Sequence, residues 1–321
     1  MILGIDIAKG NFHVALLEAG GEHGRSFPNN AKGFAQLHRW LKNRKVARAH
    51  ACMESTGAYG EALAIELHEH GHVVSIVNPA RIKGFAQSEM ARNKTDALDA
   101  GVIARFCKAL VPAPWTPPSP EIRTLQSLTR RLTSLIDARQ QERNRASVPG
   151  VVDLVAESIA AHIDHLDAQI RDLERQIHEH IDHHPRLRDR RELLESIPGF
   201  GDKTAARLAG ELPDVSQFAS AKQLSAYVGL SPRHVQSGTS IRWKTRLSKR
   251  GNAQLRKALY FPAIAAIRFN PILERFARRL RAAGKSEMLI IGAVMRKLIH
   301  IAYGVLRSQK PFDPNYDTVR A

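Results

Sequence analysis

The chain has 321 residues, which suggests about two domains at roughly 150 residues each. Hydrophobic residues make up 43% of it and charged residues 25%, a composition typical of a globular chain with a sizeable core. Two cysteines, Cys52 and Cys107, are too few for a disulfide scaffold, so we expect a reducing, cytoplasmic environment. The sequence begins without a basic segment followed by an apolar run, so no signal peptide is predicted.

The charge is strongly positive and unevenly distributed. Lysine and arginine number 48 against 31 acidic residues, a formal net charge of +17. Residues 196–321 hold 22 basic and 7 acidic side chains, whereas residues 1–140 have a net charge of +6 and residues 141–195 one of −4. Because so large a basic excess needs a polyanionic partner, we expect the polyanion to bind the last part of the chain first.

Residues 1–110 alternate short β-branched runs with helical runs, which predicts an α/β domain with a mixed sheet. The first two strands are predicted to form a hairpin around Gly10. The predicted strands cover residues 2–7, 12–17, 47–53 and 73–77, and the predicted helices cover residues 31–42, 60–70 and 95–108.

A proline-rich linker and two long helices are predicted to follow. Residues 111–120 contain five prolines, a run that favours extended polyproline II structure. In residues 121–189, apolar side chains repeat by four and three over more than three heptads, the signature of a coiled coil. An antiparallel hairpin within the chain and a dimer across chains both satisfy this pattern. The second helix has the repeat at Val152, Ala156, Ile159, Ile163, Leu166, Ile170, Leu173 and Ile177.

Residues 190–321 are predicted to form an all-helical, basic domain. Its most apolar stretch, residues 288–306, is interrupted by Arg296, Lys297 and His300, so we predict a buried helix rather than a membrane span. Two histidine clusters are predicted to be solvated helix faces, because neither has the spacing of a structural zinc site. They comprise His68, His70 and His72, and His178, His180, His183 and His184.

Four acidic residues stand where metal-dependent chemistry would need them. Asp6 lies inside an apolar strand, Glu54 follows another, and Asp96 and Asp99 are three apart, on one face of a predicted helix. Taken singly, each also fits a plain structural role, such as a hydrogen-bonded strand residue or a helix cap. Together they follow the order of RNase H-like nucleases, which hold two Mg²⁺ ions on converging carboxylates to cleave phosphodiesters.

Residues 193–208 are predicted to form two helices joined by a tight turn. This segment resembles the helix-hairpin-helix motif, which binds the DNA backbone independently of sequence. Gly199 and Gly201 permit a tight turn, and the backbone N–H groups that open the second helix can hold a phosphate. Lys203 and Arg207 add positive charge there. A plain corner between two helices is the alternative interpretation.

A loop that contains Ser237 is followed by a run of cations. The serine hydroxyl and nearby amides could simply bind phosphate, or the hydroxyl could attack a phosphorus atom as a nucleophile. The neighbouring serines Ser231, Ser240 and Ser248 leave the identity of such a nucleophile open. The cations, which we predict to contact nucleic acid, are Arg242, Lys244, Arg246, Lys249 and Arg250.

Taken together, these motifs resemble the DEDD-type insertion-sequence transposases of the IS-one-ten family, relatives of the Piv-type DNA invertases. The resemblance extends over nearly the whole chain. It rests on the start around Asp6, the Met-Glu-Ser-Thr-Gly segment at 53–57, the Asn-Lys-Thr-Asp-Ala-Leu-Asp segment at 93–99, the coiled coil, the Ile-Pro-Gly-Phe-Gly turn at 197–201 and Gln-Ser-Gly at 236–238. The stretch around Ser237 is more apolar than the family's usual Gly/Lys-rich version.

The resemblance implies a fold of α/β plus all-α parts: a RuvC-like (RNase H-like) domain at 1–110, a linker at 111–120, coiled-coil helices at 121–189 and a helical domain with a helix-hairpin-helix at 190–321. It implies that Asp6, Glu54, Asp96 and Asp99 bind Mg²⁺, and that Ser237 forms a covalent phosphoserine link to DNA. It further implies a structured non-coding guide RNA, DNA element ends and target as substrates, assembly into a dimer or tetramer through the coiled coil, and a cytoplasmic, nucleoid-associated location.

Four other functions remain open from the residues alone. A sugar-kinase or actin-like ATPase would share the opening strand, but it usually has a glycine where Ala8 stands and it needs a second nucleotide-binding half. A junction-resolving nuclease would use the carboxylates without the serine. A DNA invertase would act without an RNA guide, and a non-enzymatic DNA-binding protein would use only the basic domain.

Overall fold

A computed structural model describes residues 1–55, 57–89, 96–233, 236–237, 241–242 and 246–315. The chain divides into two compact units, Met1–Pro117 and Pro118–Ala321, which we call the sheet unit and the helical unit.

The sheet unit is built on a five-stranded mixed sheet with the strand order β3-β2-β1-β4-β5. The first three strands are antiparallel neighbours, whereas β4 and β5 run parallel to β1. The predicted hairpin and the two later strands are therefore confirmed, and β3 is an edge strand that the sequence pattern did not reveal. The bounds are β1 Ile2–Ile7, β2 Asn11–Glu18, β3 Gly21–Pro28, β4 His50–Glu54 and β5 Val73–Val77.

Helices cover both faces of this sheet. Leu3 and Ile5 of β1 pack in the same core as the first two helices, and Cys52 of β4 packs in the core on the opposite face with α4. The buried cysteines Cys52 and Cys107 both belong to that second core. The helices are α1 Ala31–Asn43, α2 Ala58–Glu69, α3 Pro79–Ser88 and α4 Asp96–Leu110.

The sheet and α4 are in close contact at Gly4. A Cβ atom at this position would lie 2.1 Å from the carbonyl oxygen of Ala100 and 2.4 Å from the backbone nitrogen of Ala104. At the other end of the helix, the Cys107 thiol lies 4.0 Å from the carbonyl oxygen of His50, at the start of β4. Ala100, near the start of α4, thus lies beside Gly4, whereas Cys107, near its end, lies beside His50, which is level with Ile2 on β1. The helix therefore passes from the later part of β1 and β4 to their start, antiparallel to both strands.

The proline-rich segment lies along the free edge of the sheet. The backbone nitrogen of Trp115 donates to the carbonyl oxygen of Val74, at 2.6 Å. The buried Ser75 hydroxyl lies within hydrogen-bond distance of the carbonyl oxygens of Pro112 and Ala113, at 3.0 and 2.9 Å. The segment therefore covers backbone groups of β5 that an edge strand would otherwise expose.

The helical unit begins with two long helices, α5 Pro120–Ala146 and α6 Asp153–Asp182, as predicted. Arg139 pairs with Asp167 at 2.5 Å, and Glu142 lies 3.4 Å from His162, nearer the connecting turn. These contacts define an antiparallel hairpin within the chain, one of the two arrangements left open by the heptad pattern.

The apolar row of α6 is covered along only part of its length. Its second half is buried from Leu166 to Ile181. Near the turn, by contrast, Val152, Leu154 and Val155 are 67%, 79% and 46% exposed. The end of the helix pair therefore presents apolar side chains that the described part of the helical unit does not cover.

Shorter helices complete the core of this unit around α13. By length and composition alone, the helix α13 Glu287–Ser308 could cross a membrane. Half of its most apolar stretch is nevertheless buried in the unit, in agreement with the buried helix predicted for residues 288–306. The helices that follow α6 are α7 Pro185–Glu195, α8 Asp202–Glu211, α9 Ala221–Val228, α10 Ala253–Ala258, α11 Tyr260–Phe269, α12 Pro271–Ala282 and α13 Glu287–Ser308, with a 3-10 turn at Val215–Gln217.

The all-helical prediction for residues 190–321 is wrong between α9 and α10. There the chain forms short antiparallel strands, β6 paired with β9 and β7 paired with β8. Strands of two residues carry no usable hydrophobic alternation, which is why the sequence pattern missed them. The strands are β6 Pro232–Arg233, β7 Gln236–Ser237, β8 Ile241–Arg242 and β9 Arg246–Leu247, and we call residues 231–248 the arm.

We predict that Gly4→Ala lowers the free energy of unfolding of the sheet unit by about 2–3 kcal/mol, because the added methyl group must displace the backbone of α4. Chemical denaturation followed by circular dichroism measures this change. Gly10→Ala is the matched control, since a Cβ there meets nothing within 4 Å, and its effect should stay within about 0.5 kcal/mol. Equal effects of the two substitutions would contradict the close contact.

Candidate functional site

Two of the predicted carboxylates lie at the same edge of the sheet. Asp6 stands near the end of β1, and Glu54 is the last residue of β4. These strands are parallel neighbours, with Ile5 beside Met53, so the residue that follows on each strand is a half-buried carboxylate. Since Ile5 and Met53 face the core of α1 and α2, strand alternation directs Asp6 and Glu54 toward the α4 face.

The antiparallel course of α4 brings its first turn to this edge. Asp99 is half-buried and directly precedes Ala100, whose carbonyl oxygen faces Gly4. Asp96 is the first residue of α4. The preceding part of the motif, residues 93–95, lies outside the described residues. The structure thus brings Asp6, Glu54 and the start of α4 to one end of the sheet, on one face.

The backbone around this edge is tied together by Asn29. Its side-chain nitrogen donates to the carbonyl oxygen of Ala8, at 3.1 Å, and to that of Tyr59, at 3.0 Å. Ala8 follows β1 directly, and Tyr59 lies in the first turn of α2, just after β4. One amide therefore links the segments that follow Asp6 and Glu54, a role that no sequence pattern indicated.

The arm leaves and re-enters the helical unit at a crossing of two glycines. Gly229 has a φ of 80°, and a Cβ atom on Gly251 would lie 2.3 Å from the carbonyl oxygen of Tyr227 and 2.5 Å from the nitrogen of Gly229. Beyond the crossing, the nitrogen of Ser248 donates to the carbonyl oxygen of Ser231 at 2.8 Å. Both ends of the arm are thus fixed by backbone contacts that admit no side chain at Gly251.

Ser237 is the second residue of β7 on the arm. It pairs with Ile241 across the two strands, so three residues connect the paired positions. Of the neighbouring serines, Ser231 and Ser248 stand at the base of the arm, and Ser240 lies outside the described residues. Among the predicted cations, Arg242 is on β8, Arg246 is on β9, Lys249 and Arg250 follow the arm and are exposed, and Lys244 lies outside the described residues.

The arm also carries a basic residue that the sequence interpretation missed. Arg233 on β6 pairs directly with Arg246 on β9, and both are exposed. Like charges directly opposite one another on a sheet are destabilising unless a counter-charge lies between or above them. The pair therefore marks a position on the arm where an anion is favoured. Arg233 lies 13 residues before Arg246, which is why spacing alone did not connect them.

The predicted hairpin motif joins α7 to α8, and its charges already have partners within the unit. Gly199 has a φ of 109°, and a Cβ atom there would lie 2.6 Å from the Cβ of Ala266 on α11. Both the backbone conformation and this close packing therefore favour glycine at position 199. A Cβ atom on Gly201 would meet nothing within 4 Å. Lys203 donates to Glu174 at 2.5 Å. Arg207 is half-buried and lies 3.4 Å from the carbonyl and side-chain oxygens of Gln254.

A carboxylate also stands at the start of α8. Asp202 accepts a hydrogen bond from the His178 ring at 2.8 Å and lies 3.5 Å from Arg191. Burial lowers the pKa of His178, but the hydrogen bond to Asp202 and the charge of that carboxylate more than offset burial, so the pKa is raised above its ordinary value. A phosphate at this helix start would meet the negative charge of Asp202 beside the backbone N–H groups.

The chain matches known proteins in both units. The family model described as "Transposase IS116/IS110/IS902 family" matches residues 191–278, and the DEDD model of IS110, described as "Transposase", matches residues 3–148. The "Pilin gene-inverting protein" of Moraxella lacunata is 37% identical over 314 residues, which cover 97% of each chain; that of Moraxella bovis is equally similar. The "Transposase for insertion sequence element IS1328" of Yersinia enterocolitica is 26% identical, over 80% of this chain and 81% of its own.

These matches define the class as DEDD-type transposases and recombinases, for which DNA strand cleavage and transfer is the expected activity. The chain belongs to the IS110/IS116 transposase family. Membership confirms the resemblance found in the sequence motifs. It also argues against a sugar-kinase or actin-like ATPase, because both matching models describe transposases.

Proposed function

We propose that this protein is a site-specific DNA recombinase whose sheet unit is an RNase H-like, RuvC-like domain. The observation that carries the proposal is the meeting of Asp6, Glu54 and the first turn of α4 at one edge of a sheet ordered 3-2-1-4-5. Substrates are the DNA ends of a mobile element and their target, and the protein works in the cytoplasm at the nucleoid.

Divalent metal, with Mg²⁺ as the proposed ion, fits the residues at this edge. Asp6 and Glu54 are half-buried carboxylates on adjacent strands, and carboxylate oxygens are the donors that Mg²⁺ prefers. Asp99 and Asp96 would complete the ligand set from α4. When bound, two such ions stabilise the attacking and leaving oxygens of phosphodiester cleavage. The carboxylates would hold the ions in place and, through the ions, position the DNA backbone.

Ser237 is the proposed nucleophile. Its hydroxyl oxygen forms a bond to the phosphorus of a DNA phosphodiester while the phosphorus–oxygen bond to the departing strand breaks. The hydroxyl proton passes to solvent, and the departing sugar oxygen takes up a proton. The phosphoserine link conserves the ester, so rejoining to a new strand needs no external energy source. The place of Ser237 on β7, away from the base of the basic arm, supports this assignment over Ser231 and Ser248 at the base.

The nucleic-acid surface is proposed to centre on the arm and to include the α7–α8 hairpin. On the arm and just after it, Arg233, Arg242, Lys244, Arg246, Lys249 and Arg250 provide positive charge. On the hairpin, Gly199 and Gly201 permit the tight turn between the two helices. Lys203 and Arg207 would exchange their present hydrogen-bond partners for phosphates. A structured non-coding guide RNA is a further proposed ligand of this basic unit.

The protein is proposed to act as a homo-oligomer, a dimer or tetramer, through the coiled coil. The apolar row of α6 continues past the part that α5 covers, and the exposed Val152, Leu154 and Val155 offer surface for a second copy. Assembly would also let the sheet unit of one subunit act with the arm of another.

A DNA invertase is the second candidate function. It is favoured by the identity of 37%, over 97% of each chain, to proteins named for inverting a pilin gene. Both candidates use the same carboxylates and serine, and they differ in the arrangement of the DNA ends and in the guide. RNA that copurifies with the protein and is required for strand exchange favours the RNA-guided transposase, whereas exchange without RNA favours the invertase.

We predict that Asp6→Asn reduces Mg²⁺-dependent DNA cleavage by about 100-fold or more, since loss of a metal-binding carboxylate removes several kcal/mol of transition-state stabilisation. Single-turnover cleavage of a cognate element end measures the rate. Glu69→Gln, which changes an exposed carboxylate on α2 across the sheet, is the control and should cleave normally. Unimpaired cleavage by Asp6→Asn would refute the metal site.

We predict that Ser237→Ala abolishes covalent protein–DNA adducts, because the phosphoserine link cannot form. Adducts on a labelled element end are detected by denaturing electrophoresis, and the modified peptide is identified by mass spectrometry. Ser231→Ala and Ser248→Ala are matched controls at the base of the same arm and should retain adducts. Adducts that persist in Ser237→Ala would assign the nucleophile to another residue.

We predict that DNA affinity falls steeply with salt, with a log–log slope of about −5 or steeper if six or more phosphates are neutralised. Arg233→Gln and Arg246→Gln should each make the slope shallower by about 1, because each removes one phosphate contact. Fluorescence anisotropy over a salt series measures the slope. Arg175→Gln removes an exposed arginine paired with Asp172 and Glu179 on α6 and should leave the slope unchanged; a flat slope for the unaltered protein would contradict the interface.

A further inference from the structure

A second group of metal-ligating side chains lies on the other face of the sheet, away from the carboxylates. His38 belongs to α1, Glu66 to α2, and His70 follows the end of α2 directly. One ring nitrogen of each histidine and one oxygen of Glu66 lie within 4.8 Å of one another. Residues of α1 and of the C-terminal end of α2 thus place two nitrogen donors and one carboxylate close together.

Contacts within this group place possible donor atoms close to one another. The buried His38 Nε2 lies 3.2 Å from Glu66 Oε1, so the imidazole and the carboxylate already face each other. A metal ion shared by an imidazole nitrogen and a carboxylate oxygen satisfies both groups. The His38 and His70 rings lie stacked, with centroids 3.8 Å apart, so one ring must rotate before both can bind a single ion in the ring plane.

The local hydrogen bonds also suit His70 to metal binding. Its Nδ1 lies 2.8 Å from the carbonyl oxygen of Glu66, and since a carbonyl only accepts, Nδ1 must carry the proton in this bond. Nε2 then keeps a lone pair, but in this arrangement it is Nδ1 that lies 3.5 Å from Glu66 Oε1, so Nε2 becomes a ligand only when the ring rotates. Metal-bound histidines typically donate their second ring nitrogen to a carbonyl or carboxylate in this way, which fixes the ring. The nearby His72 differs, because its Nδ1 accepts from the backbone nitrogen of Ala49 at 3.2 Å.

We propose that His38, Glu66 and His70 bind a transition-metal ion of the Zn²⁺ class, which joins α1 to the end of α2. Two imidazole nitrogens and one carboxylate suit Zn²⁺, whereas Mg²⁺ prefers oxygen ligands alone. Glu66 and His70 are 32% and 51% exposed, so water has access to a fourth position. The ion would link α1 to the end of α2, two helices that cover one face of the sheet. It takes no part in DNA strand cleavage.

The test uses the full-length protein, freed of metal with a chelator and then kept in excess Mg²⁺ so that oxygen-only sites are filled. Calorimetric titration with Zn²⁺ should show one ion per chain, Co²⁺ should give visible absorption bands, and Zn²⁺ should raise the midpoint of thermal unfolding. Replacing an outer-shell partner of a metal-bound histidine already costs about 10–100-fold in affinity, so His38→Ala and His70→Ala should each cost at least about tenfold.

Two further variants make the result decisive. Glu66→Gln keeps the size of the side chain and should weaken Zn²⁺ binding even if His38→Ala fails to fold. His183→Ala is the matched control, because its Nδ1 also bonds to the carbonyl oxygen four residues earlier, in an exposed position on the helical unit. The proposal is overturned if no saturable Zn²⁺ binding occurs, if the variants at 38, 66 and 70 bind as the unaltered protein does, or if His183→Ala is the variant that loses the ion.

Discussion

The lack of a side chain at Gly4 is the constraint on which the sheet unit depends. The strand and the backbone of α4 touch where any other residue would hold them apart. This contact fixes the depth and direction of the helix, and so it also determines how near Asp99 comes to Asp6. The helical unit uses the same principle at Gly251, where one backbone crosses another and anchors both ends of the arm.

Most of the core could be predicted from the sequence, since buried elements leave a hydrophobic pattern. β1, β2 and β5 are rich in apolar and β-branched residues, and their predicted bounds agree closely with the observed ones. β3 was missed because Phe27 is its single buried side chain, so an edge strand exposed on both sides shows no alternation. α3 was missed as well, because it buries only Ile82 and its start at Pro79 reads as a turn.

The candidate site divides along similar lines. The carboxylates could be found because Asp6 and Glu54 interrupt or end apolar strands, and such a charge is conspicuous in sequence. The arm could not, since its two-residue strands are held by backbone pairing and by the crossing at Gly251, and an isolated apolar contact such as that of Leu247 with the helical core forms no periodic pattern. Partners distant in sequence are equally hidden: nothing near Lys203 indicates that it pairs with Glu174 on another helix.

The facing arginines of the arm give ionic strength two opposite effects on this protein. In the free chain, dissolved salt screens the repulsion between Arg233 and Arg246 and so steadies the arm. In the proposed complex with nucleic acid, the same salt would compete with phosphate groups for these guanidinium groups. A bound polyanion would therefore stabilise the arm as well as occupy it, and the arm would be most stable with nucleic acid in place.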